Sequence, residues 1–139
     1  MIDKTIKHEI LLLTHGGWGE TLADTLTMII GQIEGVSEIP LNPEDTLEGF
    51  LEKVERKVKE MPSNSLIITD ISGGTTSNVA LKLSQNYDIK ILSGLSSIML
   101  IEAIMRQDHP FTDESVNEIK EAALMNCQHL KINKSSINK

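Results

Sequence analysis

Ile10-Leu11-Leu12-Leu13 is an unbroken apolar run closed by Thr14-His15-Gly16-Gly17, and it limits the possible folds more than any other stretch of the chain. A strand with one wet face alternates apolar and polar residues. An unbroken run suits a strand covered on both faces, as in a parallel sheet. Past the glycines, Leu22, Leu26, Ile29, Ile30 and Ile33 recur at helical spacing, so the stretch reads strand, tight turn, helix. Gly31 and Gly35 close that helix in the manner of C-caps.

The pattern then repeats. Val36 to Leu41 is a short strand, Asn42-Pro43-Glu44-Asp45 is turn chemistry, and Thr46 caps a helix carrying Leu47, Phe50, Leu51, Val54 and Val58. Leu66 to Thr69 is a third strand ending at Asp70. It passes through Ile71-Ser72-Gly73-Gly74-Thr75-Thr76-Ser77-Asn78 into a helix with Val79, Ala80, Leu81 and Leu83. Ile89 to Leu92 is a fourth strand ending at Ser93-Gly94. Ser96 or Ser97 caps a helix over Ile98 to Arg106, and Thr112 caps a last helix running to about Asn126. Strands alternating with helices of this length pair in parallel through right-handed crossovers, which predicts an α/β domain with a doubly wound parallel sheet. His129-Leu130-Lys131-Ile132 alternates with period two, the pattern of a half-exposed edge strand. Residues 1–132 are expected to form one domain and residues 133–139 a disordered tail.

Composition excludes some functions. A length of 139 residues, 40% of them hydrophobic, suits one domain with an ordinary core. A net charge of −7 with no basic face argues against nucleic acid as a partner. Cys127 has no second cysteine to pair with. No signal-peptide pattern and no apolar span of about 18 residues is read, so a cytoplasmic protein is expected. With one Trp, one Tyr and two Phe in the chain, Trp18 needs specific surroundings, either core packing or a partner.

In a sheet ordered 2-1-3-4 the winding reverses between the first and third strands, and a crevice opens above their carboxyl ends. His15 and Asp70 flank it. A carboxylate bonded to one imidazole nitrogen fixes the tautomer and leaves the other nitrogen nucleophilic. The glycines after Asp70 let the N–H groups of Gly74 and Thr75 approach an anion, and the Thr75 hydroxyl adds a donor. Those are the requirements of a phosphoryl group on His15. A lone histidine after a strand also suits a plain polar loop, and Gly-Gly after Asp a plain turn; both readings stand beside the chemical one. Met99 and Met105 read as core filling, and His8, His109 and His129 as structural or surface residues. No metal-ligand spacing, Walker-type loop or dinucleotide fingerprint is present, so no metal and no cofactor is expected.

Three blocks, Thr14-His15-Gly16-Gly17-Trp18-Gly19-Glu20-Thr21-Leu22, Asp70 to Asn78 and Gly94 to Glu102, resemble the mannose-type IIA components (EIIA) of the bacterial phosphoenolpyruvate-dependent sugar phosphotransferase system (PTS). By that resemblance His15 is the phosphorylated histidine, Asp70 orients it, and Gly73, Gly74 and Thr75 hold the phosphate. The fold it implies is the doubly wound sheet of order 2-1-3-4 flanked by helices, with a C-terminal antiparallel edge strand around Leu130 exchanged in a homodimer. The function it implies is a phosphotransferase that accepts phosphate from the phosphohistidine carrier protein HPr on His15. The group then passes to a IIB component during sugar uptake, and the membrane permease is reached only through partners. Both partners must reach one nitrogen in turn, so a partly apolar docking rim is expected, with Trp18, Ile98 and Met99 as candidates. Alternatives are the phosphoryl-donor subunit of a dihydroxyacetone kinase, a regulatory module phosphorylated on His15, and a small-molecule binding domain with no covalent step. The chain departs from the family pattern at Thr76 and Ser77, and at Ser96 and Ile98; two loop-rigidifying prolines are absent, which predicts more mobile loops.

Overall fold

β1 (Ile10–His15) lies between β2 (Val36–Leu41) and β3 (Ser65–Thr69), and β4 (Ile89–Ser93) flanks β3 on the other side. The structure, a computed structural model, describes residues 7–133. All three strand pairings are parallel, in the order β2-β1-β3-β4, as expected. Pro40 belongs to β2, an edge strand among the described residues, where its missing N–H breaks no ladder bond.

The apolar run of β1 divides between the two faces of the sheet. Ile10 and Leu12 pack with Leu66, Ile68, Leu92, Leu100, Phe111 and Ile119, while Leu11 and Leu13 pack with Phe50, Val54, Ile67, Val79 and Leu83. The first face is covered by α1 (Trp18–Ile30), α4 (Ser97–Ile104) and α5 (Asp113–Met125), the second by α2 (Leu47–Glu60) and α3 (Thr75–Ser84). Each of the four β1 side chains is fully buried. Such burial is worth roughly 1.5–3 kcal/mol per side chain, so covering both faces is what holds this strand at the centre.

Thr46, Ser96 and Thr112 cap α2, α4 and α5, each hydroxyl accepting a backbone N–H from the first turn. Two expectations are corrected. Ile33 follows the Gly31 C-cap and packs on the core from the connecting segment, because α1 stops at Ile30. Ile29 is exposed beside Met28, because the stripe that α1 turns inward is centred on Leu26. His129–Ile132, the stretch read as an edge strand, is exposed and pairs with no strand of the described sheet. Of the expected tail, residues 134–139 lie outside the described residues, as do 1–6 of the polar lead-in.

Candidate active site

β1 and β3 end side by side, in a register that pairs Leu13 with Thr69, so His15, the last residue of β1, and Asp70, the residue after β3, emerge at the same end of the sheet. The Asp70 N–H donates to the Leu13 carbonyl at 3.2 Å, which carries the pairing one step past the ladder. Asp70 Oδ2 then accepts two bonds from His15, from its backbone N–H at 2.7 Å and from Nδ1 at 2.9 Å. The partnership assigns the Nδ1–H tautomer to the neutral ring, and Nε2 is left as the nitrogen without a partner among the described residues.

The two side chains differ in exposure: 45% for His15 and 4% for Asp70. The carboxylate is a buried support and the imidazole is presented to solvent. Asp70 Oδ1 takes the Thr76 hydroxyl at 2.9 Å, so both oxygens are occupied. Burial alone would push the Asp70 carboxyl up. The bonds from the His15 N–H, the imidazole and Thr76, with the attraction of the His15 charge, outweigh it and hold the carboxyl below its ordinary value.

Gly16 and Gly17 release the chain from β1 at φ +82° and +88°, a left-handed pair that glycine adopts without strain. They place Trp18 at the start of α1 with 42% of its surface exposed, so the core-packing reading gives way to a surface position. On the other side, Gly73 turns the chain and Gly74 is the N-cap of α3. A Cβ at Gly74 would lie 3.6 Å from His15 Cε1, so the amino end of α3 abuts the ring. Gly74 has no side chain with which to cap that helix, and the first-turn N–H groups of Thr75, Thr76 and Ser77 meet no acceptor among the described residues. Ser77 is anchored beneath, its hydroxyl linked to Thr69 Oγ1 at 2.6 Å and donating to the Ile71 carbonyl. Thr76 and Ser77 thus tie the loop down through hydrogen bonds a proline could not make.

A cleft of about 530 Å³ opens beside the ring, lined by His15, Gly16, Leu41, Asn42, Pro43, Asp45, Leu47 and Thr75. Apolar groups form much of its wall, no Lys or Arg lines it, and Leu47 adds exposed apolar surface to it. Of the expected docking residues, Ile98 is half-buried, whereas Met99 is 3% exposed and packs in the core with Leu95 and Leu100. That burial removes Met99 from the rim and makes it the core filler its residue type also suggested. Two contributors went unread in the sequence: Thr76, whose bond to Asp70 needs the loop geometry, and Leu47, whose helical spacing pointed inward.

A family model described as PTS system fructose IIA component (EIIA-man) matches residues 9–120. The chain belongs to this family. All three blocks that carried the resemblance fall inside the match, so the recognition is borne out. The PTS system mannose-specific EIIAB component of Escherichia coli (strain K12) is 30% identical over 113 residues, covering 77% of this chain and 34% of that protein. The chain thus spans about a third of the length of the curated relatives it matches. Among solved structures, the phosphotransferase system component EIIA from Streptococcus agalactiae superposes with a TM-score of 0.76 at 28% identity, covering 92% of this chain and 98% of that one. The mannose/sorbose specific IIA subunit from Enterococcus faecalis does so with 0.83 at 25% identity, covering 91% and 97%. The EIIA-man sheet order found here is therefore shared with solved IIA proteins. Among the described residues, no helix is long and apolar enough to cross a membrane.

Proposed function

We propose that this EIIA-man chain is a cytoplasmic phosphoryl carrier of a sugar phosphotransferase system, taking phosphate from HPr onto His15 Nε2 and passing it to a IIB component during sugar uptake. The observation that carries this reading is the Nδ1 to Asp70 Oδ2 bond of 2.9 Å, on a ring whose other nitrogen is free and whose neighbour is an uncapped helix end.

The Nε2 lone pair attacks phosphorus as the P–N bond of the donor phosphohistidine breaks. Nδ1 keeps its proton, so the ring becomes cationic, and the Asp70 carboxylate compensates that charge at the nitrogen opposite the reaction. The three phosphoryl oxygens face the N–H groups and the hydroxyl at the start of α3, with Thr75 at the cleft wall. These donors are neutral, which suits a relay, since a strong cationic clamp would hold the group instead of passing it on. In the second step the IIB nucleophile attacks the same phosphorus, the P–Nε2 bond breaks, and the ring returns to its neutral Nδ1–H form. The apolar wall of Leu41, Pro43 and Leu47, together with exposed Trp18 at the start of α1, supports successive docking of two partners on one rim.

A homodimer belongs to the same reading. Met28, Ile29, Met105, Leu124 and Met125 are exposed on the helices of one sheet face, and Leu130 and Ile132 are exposed in the segment beyond them. Apolar surface of this extent on one side suits a second copy, with residues 129–132 added to the partner's sheet as an exchanged antiparallel strand. Loading His15 with labelled phosphate from HPr and then adding the IIB component tests the relay. The label is expected to move to IIB; label that stays on His15 would favour a regulatory module.

A further inference from the structure

Two helices turn their amino ends toward the crevice, α1 after β1 and α3 after β3, and each end carries unpaired N–H groups and about half a positive charge. They are treated in opposite ways. At α1, Glu38 reaches across from β2: Oε2 accepts the Gly19 N–H at 2.8 Å and Oε1 the Glu20 N–H at 2.9 Å. The Thr14 hydroxyl, one residue before His15, donates to the same Oε2. At α3 no side chain caps the helix, and its first-turn N–H groups are open. Gly19 belongs to this arrangement, since a Cβ there would lie 2.6 Å from Glu38 Oε2 and 3.0 Å from Leu12 Cδ1. Glycine inside a helix costs about 1 kcal/mol relative to alanine, and here it makes room for the carboxylate.

We propose that Glu38 is a positioning residue for phosphoryl transfer: its carboxylate closes the amino end of α1, leaving α3 as the helix end that receives the phosphoryl group. The same carboxylate ties Thr14 to Gly19 and Glu20, and so fixes both ends of the loop that carries His15, Gly16 and Gly17. An anion on His15 is thereby repelled from the α1 side and attracted to the α3 side. The inference rests on the relay reading for its purpose, and its test is independent of any protein donor.

Phosphoramidate loads an accessible imidazole directly: its P–N bond breaks as the P–Nε2 bond forms, and ammonia leaves. In the loaded wild-type protein the amide resonances of Thr75, Thr76 and Ser77 are expected to shift, while those of Gly19 and Glu20 hold still. In Glu38→Gln, which lacks the charge, Gly19 and Glu20 should respond as well, and the phosphohistidine half-life should lengthen about two- to five-fold, the size of a screened charge effect at a helix end. Gly19→Ala, which pushes the carboxylate away, should act in the same direction. Wild-type Gly19 and Glu20 moving as far as Thr75 to Ser77, or an unchanged half-life in a folded Glu38→Gln, would overturn the inference. Loading by phosphoramidate but not by HPr would overturn the relay reading alone.

Discussion

Asp70 contributes to this molecule in two ways that one substitution separates from packing. Its carboxylate accepts from His15 Nδ1, and in the proposed relay it offsets the cation formed during transfer, so Asp70→Asn, similar in size, is expected to slow phosphoryl acceptance on the order of a hundredfold in a single-turnover assay. The same hydrogen bonds hold its carboxyl below the ordinary value of 3.8 in the folded chain. A depressed carboxyl stabilises the fold fully above the unfolded value, and that contribution fades as pH falls from there through the lower folded value. Wild-type melting temperature should therefore drop as pH is lowered below about 4, and Asp70→Asn should show a shallower acid limb in the same melts. His15 and Asp70 were legible because each follows an apolar strand and adjoins glycines, a local signal. Thr76 and Glu38 were not: one depends on how the loop after Asp70 folds back and the other on a strand 19 residues from its Gly19 partner. Met99 misled because a methionine at helical spacing looks alike whether its face meets solvent or core.

At the scale of elements, the strands came from apolar runs, the helices from apolar periodicity, and α2, α4 and α5 from a capping residue as well. The caps carry measurable stability. Thr112 accepts the Ser115 N–H at 3.0 Å while Ser115 Oγ accepts the Thr112 N–H at 2.9 Å, a reciprocal box at the start of α5. Thr112→Ala is expected to cost about 1 kcal/mol in urea denaturation without altering phosphoryl acceptance, since α5 lies far along the chain from His15 and contributes no residue to the cleft. Both faces of β1 were foreseen because an unbroken apolar run admits little else. The end of α1 was less legible: Ile29, Ile30 and Ile33 fit a helical stripe, yet Gly31 stops the helix first, leaving Ile29 on the outside. A period identifies an element, and only the packing of its neighbours decides which of its apolar residues is covered.

At the scale of the whole molecule, one side exposes Met28, Ile29, Met105, Leu124 and Met125, and one end gathers His15 and Asp70. Removing residues 128–139 deletes Leu130 and Ile132 while leaving every element of the sheet in place. The account expects light scattering to give twice the chain mass for the full protein and a single chain mass for the truncated one. The sheet order was readable from the alternation of strands and helices, whereas the fate of residues 129–132 was not, because an alternating pattern marks a half-exposed strand without saying which edge, of its own sheet or of another copy's, it pairs with. In the proposed relay one imidazole, that of His15, carries a transferable phosphate. Intact mass after incubation with phosphoenolpyruvate, the general phosphotransfer enzyme and HPr tests that most directly. The account predicts one added phosphate on the wild-type chain that is lost on adding a IIB component, and none on His15→Ala; an unmodified wild type, or equal phosphate on His15→Ala, would contradict it.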